Sequence, residues 1–173
     1  KTPGEYTITV SGAEAKNYSF SYVAGKLTIT QAPTITIKAT AKTMVYGDQV
    51  PELTYTVEGG TLTGTPKLTT TGTSTSDVGD YDITVEAGTI TYPRLSLQGA
   101  KLAITKAAVT VTAKSYTIQE TDALPAFAAD YAGWKNGQNE SVLTKQPTFS
   151  CNASATKTPG EYTITVSGAE AKN

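Results

Sequence analysis

The strongest constraint in this sequence is an internal repeat that is identical letter for letter. Residues 1–17 read KTPGEYTITVSGAEAKN, and residues 157–173 read the same. Seventeen consecutive identities do not arise by chance, so we expect the parent protein to repeat every 156 residues. The chain then begins inside a repeat, and we expect it to be a fragment that covers one period and a 17-residue overlap.

Each period contains a second, weaker repeat. Residues 35–59 align with residues 109–133 without a gap. A seven-residue insertion around Trp134 follows, and the register resumes where Pro66 meets Pro147. Each period is therefore expected to hold two related units of about 75–80 residues, which is within the size range of small domains.

The last strand of the first unit locates the remaining boundaries. Its sequence KLAIT at 101–105 returns as KLTIT at 26–30. Residues 34–106 are thus predicted to form a complete unit, here called unit one. Residues 107–173 form unit two, which lacks its last strands, and residues 1–30, the N-terminal segment, are the C-terminal part of a preceding unit.

Two expectations follow from these boundaries. Residues 18–30 have the sequence of the strands that unit two lacks, so we expect them to complete unit two of a neighbouring chain, or of their own chain by swapping, because incomplete sheets expose edges that pair. The linkers at 31–33 and 106–108 are short, which favours a semi-rigid rod of contacting repeats.

Alternation of apolar and polar residues predicts an all-β fold. Tyr81, Ile83 and Val85 alternate with polar residues, as a strand with one buried face does. The solvated face is rich in threonine, of which the chain has 33. Six or seven short strands per unit, separated by Gly, Pro, Asn and Asp turns, predict tandem small immunoglobulin-like (Greek-key) β-sandwich units.

A tyrosine motif supports the sandwich prediction. Asp77-Val78-Gly79-Asp80-Tyr81-Asp82-Ile83 has the D-x-G-x-Y-x-apolar form of an immunoglobulin tyrosine corner, in which the Tyr hydroxyl bonds to upstream backbone. The tyrosine recurs as Tyr6 and Tyr162. Ile83 and Ile164 occupy the usual cysteine position, so no disulfide is expected between the sheets.

Three motifs together carry a family resemblance. They are YGD-x-x-P-x-L-T-Y at 46–55, G-x-Y-x-I-T-V at 79–85 and again at 160–166, and A-K-N-Y-x-F-x-Y-V-x-G-x-L-T-I-T at 15–30. The chain resembles the MBG (mostly-β, glycine-containing) repeats of bacterial surface proteins. The resemblance implies immunoglobulin-like modules in the tandem arrays of adhesins, and it brings no catalytic residues.

The two units depart from the family pattern in complementary ways. Unit two reads Glu120-Thr121-Asp122 where unit one keeps Tyr46-Gly47-Asp48. Unit one lacks the middle loop, which unit two has as Gly133-Trp134-Lys135-Asn136-Gly137, and carries Pro93-Arg94 where the family has Asn-Tyr.

Composition narrows the possible functions. The chain has no histidine, one cysteine and a net charge of −1. The missing histidine and the single cysteine exclude His-dependent catalysis and zinc clusters, and the balanced charge argues against a nucleic-acid-binding face. The sequence has no run of 18 apolar residues, so it predicts no membrane span. We expect no enzyme activity, no catalytic residues, no cofactor and no metal site.

Trp134 heads the only candidate ligand-binding site, which also includes Asn136, Gln138 and Asn139. An aromatic ring stacks on sugar C–H groups and amides read hydroxyls, which favours a glycan site. The alternative is that the amphipathic indole packs onto the edge of the sandwich.

Two other features favour structural roles. Cys151 lies two positions after Phe149, so it is expected to share the inner face and to behave as a small buried hydrophobe. Asp77, Asp80 and Asp82 are grouped as calcium ligands are, but unit two does not repeat them, and a solvated turn is the expected role.

The sequence thus predicts a structural stalk, or spacer segment, of a repetitive bacterial cell-surface adhesin-like protein that is secreted to the cell surface. The alternative is an adhesive repeat that binds host glycan or matrix protein through the Trp134 loop. The expected partners are neighbouring repeats of the same chain and further copies that pair at incomplete sheet edges.

Overall fold

The computed structural model describes residues 1–153 and 158–173, which form β-strands joined by turns. The strands are β1 (Gly4–Ile8), β2 (Gly25–Ile29), β3 (Ile35–Ala39), β4 (Lys42–Val45), β5 (Tyr55–Glu58), β6 (Lys67–Thr70), β7 (Gly79–Glu86), β8 (Leu95–Gln98), β9 (Ala100–Thr105), β10 (Thr110–Ala113), β11 (Ala129–Ala132), β12 (Leu143–Lys145), β13 (Thr148–Cys151), β14 (Ile164–Ser167) and β15 (Glu170–Ala171). Within those ranges the helical structure is one 3₁₀ turn at Glu140–Val142, and no helix is long and apolar enough to cross a membrane.

Unit one contains seven strands, β3 to β9, in two sheets. The first sheet has the order β5-β3-β8, with β3 antiparallel to β5 and parallel to β8. The second has the order β4-β9-β7-β6, in which only the β4–β9 pair is parallel. The predicted all-β fold is confirmed, and unit one has seven strands in two sheets, within the six or seven expected for a unit.

Apolar residues from both sheets form the core of unit one. One cluster joins Met44 and Tyr46 to Ile83 of β7 and to the two inward side chains of β9, Leu102 and Ile104. A second cluster holds the inward isoleucines of β3 together with Ile90. Because β9 lies between β4 and β7 and is buried, its alternating residues are the centre of the unit.

The tyrosine corner is present in all three copies. The hydroxyl of Tyr81 donates to the carbonyl oxygen of Asp77 at 2.9 Å. Tyr6 and Tyr162 make the same bond four residues upstream, each at 2.8 Å. The prediction from the motif is confirmed, and each bond pins the turn that leads into the following strand.

Unit two repeats part of this arrangement. β10 pairs with β11, β12 with β15, and β13 with β14. Phe149 lies opposite Val166, which is the register of Leu68 and Val85 in unit one. Among its described residues, however, no apolar side chain is fully buried.

The inner face of unit two is an open groove. A cavity of 710 Å³ is lined by side chains that include Phe127, Cys151, Tyr162 and Ile164. Cys151 is a free thiol and only half-buried, rather than buried as its alternation with Phe149 predicts. The reason is that no described strand covers this face as β9 covers it in unit one.

The N-terminal segment forms a separate hairpin. β1 and β2 are antiparallel, and Tyr6 lies opposite Leu27 as Tyr81 lies opposite Leu102 in the β7–β9 pair. Most of its large apolar side chains are exposed, including Leu27 at 49%, and Ile29 is half-buried. In this chain β2 therefore pairs with β1, and completion of unit two by the N-terminal segment stays a prediction.

Shortening a β9 side chain tests the packing of unit one. Leu102→Ala is expected to lower the free energy of unfolding by about 2–5 kcal/mol, because Leu102 has 0% exposure and leaves a cavity. Leu97→Ala, at a site 40% exposed, is the matched control and should cost about 1 kcal/mol or less. Urea unfolding followed by circular dichroism measures both, and equal losses would contradict this account of the core.

Candidate functional site

The Trp134 loop lies at the end of unit two that faces unit one. Thr110 of β10 is paired with Ala132 of β11, so the next residue along the chain, Gly133, lies beside the linker. An added Cβ on Gly133 would be 2.5 Å from the carbonyl oxygen of Ala108. The strand pairing therefore directs the loop toward unit one.

Within the loop, the predicted ligand-binding residues take different roles. Trp134 is half-buried and packs against Tyr131, with ring centroids 5.8 Å apart. Its buried Nε1 has no hydrogen-bond partner among the described residues. Asn139 Oδ1 accepts the backbone N–H of Ser141 at 2.9 Å and so begins the 3₁₀ turn, and Gln138 donates its backbone N–H to Lys135 at 3.0 Å.

The Tyr-Gly-Asp turn of unit one presents a backbone surface to this loop. Tyr46 is buried in the core, and its N–H donates to the carbonyl of Thr105 at 2.8 Å, which anchors the turn. Gly47 has a φ of +87° and donates to the carbonyl of Ser74 at 3.1 Å. A left-handed φ favours glycine, and here the missing side chain also leaves space above the turn.

The Trp134 loop occupies that space. An added Cβ on Gly47 would be 2.4 Å from Cβ of Lys135, so the two segments meet only because residue 47 is glycine. Lys135 Nζ lies 2.9 Å from Asp48 Oδ1, and both side chains are less than half exposed. Asn136 Nδ2 donates to the Ser74 carbonyl at 2.9 Å.

A second set of contacts joins the units at Asp77. Lys172 Nζ lies 2.5 Å from Asp77 Oδ2, and Asn173 Nδ2 donates to Asp77 Oδ1 at 2.9 Å. Asn173 Oδ1 accepts the backbone N–H of Val78 at 3.1 Å. The hydrogen bonds from Lys172 and Asn173 hold the pKa of Asp77 below its ordinary value, and Asp77 raises the pKa of Lys172, so both groups remain charged near neutral pH.

The linker also packs onto unit one, where Ala107 contacts the core cluster. These residues form the junction site, which is the contact region between the units. Its members are Gly47, Asp48, Ser74, Asp77 and Val78 of unit one and Lys135, Asn136, Lys172 and Asn173 of unit two. The site is a docking surface built from two ion pairs, hydrogen bonds between asparagine side chains and backbone groups, and one glycine.

The grouped aspartates serve separate contacts. Asp77 pairs with Lys172, whereas Asp82 is exposed and lies 2.7 Å from Lys101 Nζ, which raises the pKa of Lys101. Asp80 is exposed as well. No three His, Cys, Asp or Glu side chains in the described ranges are placed to hold a metal ion together.

The junction role of these residues was not predicted from the sequence. Tyr46-Gly47-Asp48 stood out as a family motif, and Lys135 and Asn136 as part of a loop, but nothing joined the two. The available signal was their distribution, because the motif occurs in unit one and the loop in unit two.

Comparison with protein-family models supports the identification of Tyr46-Gly47-Asp48 as a family motif. The model described as MBG domain (YGX type) matches residues 1–28, 35–102 and 109–173. The chain belongs to this family. MBG domains occur in extracellular surface proteins, and Tyr46-Gly47 supplies the letters of the YGX description. Neither the curated proteins nor the solved structures contain a match to the chain.

Replacing the glycine of the MBG motif tests the junction site. Gly47→Ala is expected to separate the units, because the new Cβ takes the space of Lys135. Nitroxide labels at the exposed sites Thr56 and Thr165, in a Cys151→Ser background, should then show a distance distribution at least twice as wide.

Gly12→Ala is the matched control. Gly12 has a φ of +89°, close to that of Gly47, but no atom lies within 4 Å of an added Cβ. The control variant introduces a similar backbone strain, and it should leave the distance distribution between the labels unchanged. Similar distributions in the Gly47 and Gly12 variants would refute a docking role for Gly47.

Proposed function

We propose that this chain is a spacer segment in the stalk of a repetitive bacterial cell-surface protein of the adhesin type, without catalytic activity. The observation that carries the proposal is the junction site. A spacer must keep its units extended along one direction, and docking of one unit on the next does this better than a free linker. Unit one and unit two share two ion pairs and a linker that is only three residues long.

Docking determines how length grows with the number of units. The longest strand of unit one, β7, has eight residues, or about 26 Å at about 3.3 Å per residue. Docked units add their lengths, whereas freely jointed units extend only as the square root of their number. The repeat would therefore hold a distal part of the protein away from the cell with fewer residues than a freely jointed chain needs for the same distance.

The surface charges also suit a spacer. Six lysines on or next to a strand pair with an acid on the neighbouring strand. They are Lys26 with Glu5, Lys38 with Glu58, Lys67 with Glu86, Lys101 with Asp82, Lys114 with Asp130 and Lys145 with Glu170. Such exposed pairs contribute at most about 1 kcal/mol each. Their effect is to cancel charge locally on the sheets that carry them, which weakens the attraction of these sheets for a charged partner.

An adhesive repeat is the second candidate function. Its support is that Trp134 is only half-buried, with Gln138 close in sequence. Against it, Asn136 is bonded to Ser74 and Asn139 to Ser141, so two of the three amides already serve the protein. The packing of Trp134 on Tyr131 also gives the indole a structural role.

Small-angle scattering of chains with one to four periods tests the spacer proposal. The maximum dimension should rise with every added period, by up to about 50–60 Å if each unit adds about 26 Å. A particle that stays compact as periods are added would contradict the proposal.

Binding assays separate the two functions. A chain of two periods is screened on glycan and matrix-protein arrays beside its Trp134→Ala variant. The spacer proposal expects no saturable binding by either chain. Saturable binding that the variant loses would favour the adhesive function and place its site in the Trp134 loop.

A further inference from the structure

We infer that the repeat alternates between two kinds of junction, one docked and one flexible. Unit one is docked on the unit two that follows it, whereas unit two has no equivalent docking to the next unit one. The inference rests on the proposed spacer function and specifies its mechanics. It follows from comparing each residue of the junction site with its counterpart in the other unit.

The acceptor side of the junction is missing from unit two. Thr121 stands at the position of Gly47, so a side chain fills the space that Lys135 needs. Thr158 replaces Asp77, which removes the carboxylate that binds the lysine. Pro159 replaces Val78 and has no N–H to donate.

The donor side is missing from unit one. The loop after Gly59 is seven residues shorter than the loop after Gly133, and it has no counterpart of Lys135 or Asn136. Thr91 and Tyr92 occupy the positions of the other two donors, Lys172 and Asn173.

The short loop of unit one folds back on its own core. Gly59 lies beside Thr34 as Gly133 lies beside Ala108, so the loop starts toward the preceding unit. Leu62 then packs against the cluster around Ile35 and Ile37. Tyr92 instead donates its hydroxyl to the linker residue Pro33, and Arg94 bonds to Gln31. These two bonds hold the linker against unit one, and neither of them involves a residue of the N-terminal segment.

The period of 156 residues is then a mechanical unit. Unit one carries only the acceptor side of the junction site, and unit two carries only the donor side. The two units therefore dock as a pair, and the pair is repeated. An array of this kind is a chain of stiff two-unit segments with a joint after every second unit. The overall rod keeps its length under load while it can still bend at regular points.

A chain of two periods provides the test, because it contains both kinds of junction between complete units. Nitroxides at Thr56 and Thr165 report the docked junction when both labels are in one period. The same two positions report the other junction when Thr165 is in the first period and Thr56 in the second. Electron–electron resonance should give a distance distribution at least twice as wide across the second junction.

A variant transplants the features of one junction to the other. Gly47→Thr with Asp77→Thr gives unit one the residues of unit two and should widen the first distribution to match the second. Lys101→Thr with Asp82→Thr, which removes an exposed pair away from the junction site and from the labelled residues, is the control and should change neither. Equal widths at both junctions in the original chain would overturn the inference. The maximum dimension of the same chain tests the spacer proposal separately, since an extended particle with equal junctions keeps that proposal.

A second inference comes from the open groove of unit two, which we propose receives strand β2 from a second copy of the chain. In unit one, the counterparts of Phe127, Tyr162 and Ile164 are Leu53, Tyr81 and Ile83, and these pack around Leu102 and Ile104 of β9. The groove is the same space without its strand.

Strand β2 matches the missing strand in sequence and register. Leu27 and Ile29 occupy the positions of Leu102 and Ile104. β14 is paired with β13 as β7 is paired with β6. β9 pairs with residues 79–83 of β7, so β2 fits along the equivalent residues 160–164, which lead into β14.

The exchange gains burial without losing a strand pair. In the N-terminal hairpin β2 pairs with residues 4–8, which read GEYTI. The groove offers residues 160–164, which also read GEYTI, together with an apolar floor. Leu27, now 49% exposed, would be covered there as Leu102 is.

Sedimentation velocity of the 173-residue chain, from micromolar to millimolar, tests this association. The original chain should form dimers or larger species, and Leu27→Asp with Ile29→Asp should raise the dissociation constant at least tenfold. Val23→Asp is the matched control, since Val23 is 84% exposed and its counterpart in unit one is the exposed Gln98. It should associate like the original.

A chain that remains monomeric at millimolar concentration would overturn the proposal, as would equal association by the three chains. Hydrogen exchange distinguishes completion within one chain. Residues 25–29 are already paired with β1, so the informative segment is 160–164, of which only Ile164 lies in a strand. Protection of residues 160–164 that appears at every concentration in a monomer would show that β2 fills its own unit two, and it would overturn the requirement for a second copy.

Discussion

The burial of β9 between β4 and β7 is the interaction on which each sandwich depends. Leu102 and Ile104 project from this strand into the space between the sheets, where they meet side chains of both neighbouring strands. A strand that pairs on both edges and buries one face contributes hydrogen bonds and apolar area together. Where a described strand occupies that place the unit has a closed core, and where none does, as in unit two, Cys151 and its neighbours line an open groove.

Local sequence predicted the parts of the fold that depend on near neighbours. Alternation identified β7 and β9, and the tyrosine motif identified a corner bond that the structure contains three times. These features follow from the period of a strand and from a four-residue turn. The half-burial of Cys151 was not predicted, because it depends on whether a strand distant in sequence covers the same face.

The contacts of the junction site could not be predicted from local sequence either, because they also join residues that are distant in the chain. Lys135 and Asp48 are 87 positions apart and meet only after two sandwiches have folded and docked. The candidate site residues were located correctly in one loop, but the partners of Asn136 and Asn139 could not be predicted from residue type alone, since an amide serves a sugar hydroxyl and a backbone carbonyl equally well. The ligand-binding assignment of the Trp134 loop stays a prediction.

The carbonyl of Ser74 accepts two donors, the N–H of Gly47 from its own unit and Nδ2 of Asn136 from the next. A main-chain oxygen is present whatever residue stands at that position. This part of the junction therefore recognises the path of the chain and not the identity of a side chain. Position 74 is free to drift in sequence as long as the turn keeps its course, whereas position 47 is not, and a tandem array can diversify its surface while its joints still fit.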